Sequence, residues 1–179
     1  MPSATTSPVL PLRAPGALAR LAALYRRAAK GLDALSPLLD LGIRLFVASV
    51  FFKSGLTKIA SWDATLALFE NVYAVPLLPP ELAAWMGTAG ELALPVLLIP
   101  GLFGRFAALG LSVVNAMAAA SLPDIAPAAL QQHVFWGSLL AGLALWGPGR
   151  WSVDALWWPR LAAPRPALRP ATGRAAGTR

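Results

Sequence analysis

Four apolar stretches, each bounded by helix-breaking residues, constrain this chain more than any other feature. A helix needs about 20 mostly apolar residues to cross bilayer hydrocarbon. The first stretch covers residues 37–60, with Pro37 suited to a first helical turn, where its missing N–H costs nothing. The second, 81–102, follows Pro79-Pro80 and ends at Pro100-Gly101. The third, 104–122, stops at Pro123, and the fourth, 127–146, stops at Gly147-Pro148-Gly149. Helices satisfy their own backbone groups in lipid, and most connections here are short. The sequence therefore predicts an all-α integral membrane protein, a four-helix antiparallel bundle over residues 36–158.

Composition agrees: 57% of residues are hydrophobic and 13% charged, where soluble domains carry about 25% charged residues. The absence of cysteine excludes disulfides, thiol redox chemistry and Cys-ligated metal. With one histidine and no converging ligand cluster, no metal site is expected. The net charge of +7 is not a nucleic-acid footprint, because the basic residues lie mostly at the two ends, around the apolar runs. Twelve of the fifteen cations fall in the N-terminal segment (Arg13 to Lys30), at Arg105, or from Arg150 to Arg179. The connections 61–80 and 123–126 have none. The positive-inside rule then puts both termini on the cytoplasmic side of a bacterial inner membrane.

In the N-terminal segment 1–35, residues 1–16, rich in Pro, Ser and Thr, carry no apolar signal-peptide core and are not expected to be a secretory signal. Leu18, Leu21, Tyr25, Ala28, Leu32 and Leu35 recur at helical spacing opposite Arg20, Arg26, Arg27 and Lys30, a pattern suited to a helix on the anionic inner leaflet. Residues 159–179, rich in Pro, Arg and Ala, are expected to be disordered. In the long outer connection, Asp63 can cap a short helix with Leu66, Phe69 and Tyr73 on one face, closing the outer mouth of the bundle.

Ionisable groups inside spans are expensive and normally face the protein interior. The first span holds Arg44, Lys53 and Lys58, the second Glu91, the third Asn115, and the fourth His133 with Trp136 one turn further in. Arg44, Phe51, Gly55 and Lys58 share one stripe, whereas Lys53 points almost to the other side. Helix rise puts Arg44 and Glu91 about 6 Å apart along the axis, so an Arg44–Glu91 ion pair is the first expectation, with Lys53 competing for Glu91. The blander readings are that Lys58 snorkels to the outer headgroups, that His133 is a lone hydrogen-bonded residue, and that Asn115 is helix-packing glue. Neither a phosphate loop at Gly147-Pro148-Gly149 nor a Ser/His/Asp constellation fits, and Asp154 near Ser152 is expected to cap a short helix bearing Trp157 and Trp158.

Taken in order, Arg44 with Phe52-Lys53-Ser54-Gly55-Leu56-Thr57-Lys58, Tyr73-Ala74-Val75-Pro76, Glu91 with Pro100-Gly101-Leu102, and the Gly147-to-Asp154 turn resemble the DoxX family. These are small four-helix inner-membrane proteins, and the resemblance covers about Leu39 to Trp157. It implies a polar core of Arg44, Lys58 and Glu91, and a link either to a membrane subunit of thiosulfate:quinone oxidoreductase or to complexes of oxidative or metal stress. Two functions follow. In one, Lys53, Lys58, His133 and Trp136 line a quinone pocket in the outer half of the bundle, with Glu91 relaying protons and Asn115 a further candidate contact. In the other, the protein is a non-catalytic anchor whose basic termini recruit membrane or cytoplasmic protein partners. A transporter is disfavoured, since the spans show neither an inverted repeat nor a pair of broken helices.

Overall fold

In a computed structural model the described residues are 16–162, and they form six α-helices with no strand among them. These are α1 (Ala17–Ala60), α2 (Trp62–Asn71), α3 (Pro80–Leu98), α4 (Gly104–Ala120), α5 (Pro127–Trp146) and α6 (Val153–Ala162). Prolines open α3 and α5 as expected, Pro80 and Pro127 standing where a helix has no N–H to lose. Packing runs from α1 to α3, α3 to α4, α4 to α5, and back from α5 to α1. Inside that circuit lie Val47 and Phe51 of α1, Leu98 of α3, Ala107, Ala108 and Leu111 of α4, and Leu140 and Leu143 of α5.

Of the expected spans, α1 is by itself long and apolar enough to cross a membrane. Helix α4 is apolar but has 17 residues. Helices α3 and α5 have 19 and 20 residues; Glu81 and Glu91 in the first, and Gln131, Gln132 and His133 in the second, dilute their apolar character.

The helix that contains the first apolar stretch does not start at Pro37. That residue lies inside α1, a single helix of 44 residues that joins the amphipathic segment to the apolar one. A proline within a helix leaves the carbonyl four residues back without its N–H partner. Here that carbonyl is Asp33 O, and two other donors take it: the Ser36 hydroxyl at 2.9 Å and Arg150 Nη2 at 3.1 Å. Local back-bonding by a serine makes the proline tolerable.

Two further expectations are corrected. Asp63 lies in the first turn of α2, which has no side-chain cap. Asp154 does not cap its own helix; Ser152 does, its Oγ accepting from Ala155 N at 3.2 Å. The Asp154 carboxylate instead accepts from Phe103 N at 2.8 Å and Gly104 N at 2.7 Å, supplying from outside the cap that α4 lacks locally. The tail expected to be irregular from 159 begins inside α6, and from 163 onward it lies outside the described residues, as do residues 1–15.

Candidate functional site

The geometry of the site begins with the α1–α3 register. A Cβ on Gly55 would stand 2.8 Å from the Leu92 side chain and 3.2 Å from Glu91 Cβ. The two helices touch there because α1 has no side chain in the way. Lys58 is one turn further along α1, on the same face. Its Nζ donates to Glu91 Oε2 at 2.6 Å and to Ser54 Oγ at 2.9 Å, with side chains 19% and 7% exposed for Lys58 and Glu91. The ammonium thus turns inward to a carboxylate instead of snorkelling outward.

The expected Arg44–Glu91 pair is not formed. From Arg44 to Gly55 is eleven residues, about 16 Å of helix, too far for the guanidinium once Gly55 is seated against Glu91. Arg44 is fully buried at the opposite end of the molecule, where Nη1 donates to Ile99 O at 2.8 Å and Nη2 to Trp151 O. It ties the α3–α4 turn to the loop before α6, a structural role. Lys53 is exposed and joins neither group, because five residues rotate it well away from Lys58 on a helix.

Across the molecule, α4 and α5 bring Asn115 to His133. Asn115 Nδ2 donates to the His133 carbonyl at 2.9 Å, and His133 Nδ1 lies 2.9 Å from Asn115 Oδ1. Gly137, one turn along α5, leaves room for this buried amide: a Cβ there would stand 3.2 Å from Asn115 Nδ2. The imidazole packs edge-on to Trp136, which packs edge-on to Phe51 of α1.

Lys58, Glu91, His133 and Trp136 all line one largely apolar cavity of about 550 Å³. That is within the range of small-molecule sites. Asn115 acts behind His133 and does not line it. The chain after α1 supplies a wall: Phe69 of α2, then Tyr73, Val75 and Leu78, held by Ala74 N donating to Ser121 O at 2.8 Å and Thr65 Oγ1 donating to Lys58 O at 2.9 Å. Sequence reasoning assigned this segment to capping the outer mouth but did not name it as a lining. Ser54 was missed as a partner of Lys58, although the four-residue spacing signals a shared face. Met86 and Met117 also line the cavity and add adaptable surface. Among the described residues, no cluster of His, Asp and Glu suits a metal ion.

The DoxX family model matches residues 39–124, a stretch that contains Lys58, Glu91 and Asn115. No curated protein and no solved structure matches the chain.

Proposed function

The chain belongs to the DoxX family through residues 39–124, and from that premise we propose that this membrane protein binds a quinone and serves as a quinone-linked redox subunit. In this reading α1, α3, α4 and α5 cross a bacterial inner membrane as a four-helix bundle with both termini cytoplasmic. Their closed packing circuit and the one-sided cations support it. The single observation that carries the ligand assignment is the cavity that holds Lys58, Glu91 and His133 within an otherwise apolar lining. A quinone ring and isoprenoid stem match the apolar walls, and the ring oxygens, as carbonyls or hydroxyls, meet the few polar groups. Lys58 uses two of its three N–H donors on Ser54 and Glu91 and keeps one for a carbonyl. Glu91, salt-bridged through one oxygen, keeps the other to accept a proton-bearing group.

A second reading, a non-catalytic anchor for protein partners, is favoured by the exposed apolar face of Leu18, Leu21, Tyr25, Leu32 and Leu35 on α1. Purification in mild detergent followed by mass spectrometry of retained lipids, quinones and proteins separates the two. Quinone retained by the native chain and lost in His133→Ala supports the redox subunit. Protein partners retained without quinone support the anchor.

A further inference from the structure

We infer that the cavity selects the reduced, hydroxyl-bearing form of its ligand over the oxidised form, because Asn115 fixes the tautomer of His133; this rests on reading the cavity as a quinone site. The argument needs only donor and acceptor chemistry. A backbone carbonyl accepts and never donates, so the Asn115 atom 2.9 Å from His133 O is the amide nitrogen. The orientation of the amide is thereby set independently of the imidazole. Oδ1, which also only accepts, then faces Nδ1 at 2.9 Å, so Nδ1 carries the hydrogen. In the neutral ring, Nε2 is left bare, an acceptor with no hydrogen-bond partner among the described residues.

The second polar station has the same bias. Glu91 Oε1 accepts from no group among the described residues, while Oε2 is held by Lys58. An oxidised quinone brings only acceptors. It gains the remaining Lys58 N–H but sets its oxygens against bare lone pairs at Nε2 and Oε1, and a desolvated polar atom without a partner is costly. A hydroquinone brings hydroxyls that donate to those atoms. Asn115 is therefore a positioning residue that acts on specificity through His133. Gly137 makes room for it, and Trp136 holds the ring edge-on.

The test exploits the fact that this chain has a single histidine. Nitrogen NMR of protein labelled at histidine, in lipid nanodiscs at mildly alkaline pH, reads the tautomer directly. Protonated Nδ1 with unprotonated Nε2 is expected, and the reverse tautomer overturns the inference without any variant being made. Equilibrium binding of decylubiquinol and decylubiquinone under anoxic conditions gives the second readout. The quinol is expected to bind about tenfold tighter, the equivalent of one hydrogen bond to a desolvated acceptor. In Asn115→Leu, where the His133 carbonyl keeps its helical partner, the preference falls to about threefold, the part that Glu91 still supplies, while the quinone still binds. Equal binding of both forms by the native chain overturns the inference and leaves the quinone site standing. Binding of neither form overturns the quinone site itself.

Discussion

Lys58 and Glu91 tolerate burial only together. Removing one leaves the other as an uncompensated charge among apolar side chains, at a cost of about 3 kcal/mol, whereas removing both restores an apolar wall. Glu91→Leu is therefore expected to lower the thermal unfolding temperature in detergent more than the Lys58→Met/Glu91→Leu double variant does; a double variant less stable than the single one would refute the pairing. Polar side chains within apolar stretches are conspicuous in a sequence, and of those expected at the pocket Lys58, Glu91, His133 and Trp136 line one cavity whereas Lys53 and Asn115 do not. Their partnerships were not legible in the sequence. Gly55 marked a place of close helix approach, but nothing in the sequence says that the residue opposite it is Glu91. Without that register, a long guanidinium such as that of Arg44 looks as eligible as the ammonium that makes the bond.

At the scale of elements, the contact between α1 and α3 has no slack. Gly55→Ala would place a methyl group 2.8 Å from the Leu92 side chain, so the helices must part or Leu92 must change rotamer. Overpacking of this kind costs about 1–3 kcal/mol. Thermal unfolding is the check, and weakened ligand retention should accompany the loss because Lys58 lies one turn away. At the other end, Asp154 caps a helix to which it does not belong. Asp154→Ala is expected to cost about 1 kcal/mol and to speed hydrogen exchange specifically at the Phe103 and Gly104 amides; unchanged exchange there would show the cap to be dispensable. Helix limits in α3, α4 and α5 follow the proline and glycine signals to within a few residues. The exception is Pro37, read as a start and found in an interior. Serine at 36 offers the freed carbonyl a donor, but the other donor, Arg150, lies 117 residues away along the chain and cannot be read locally.

For the whole molecule, the proposed topology has a direct test in a chain with no cysteine of its own. Single cysteines at Arg20 and Arg160 should react with an impermeant maleimide only when the inner face is exposed. Those at Glu70 and Asp124 should react from outside in intact cells. Any reversal between the two sets would overturn the N-in, C-in arrangement. The composition pointed to a membrane, and charge placement to a direction across it, while the length of α1 emerged only from the structure. Its 44 residues extend about 66 Å, roughly twice the 30 Å of bilayer hydrocarbon. One rod therefore carries Arg20 at one extremity and Lys58 at the other. No loop separates the two, and Pro37 removes one rung of the hydrogen-bond ladder between them. The basic segment and the ammonium that holds Glu91 therefore belong to one continuous helix.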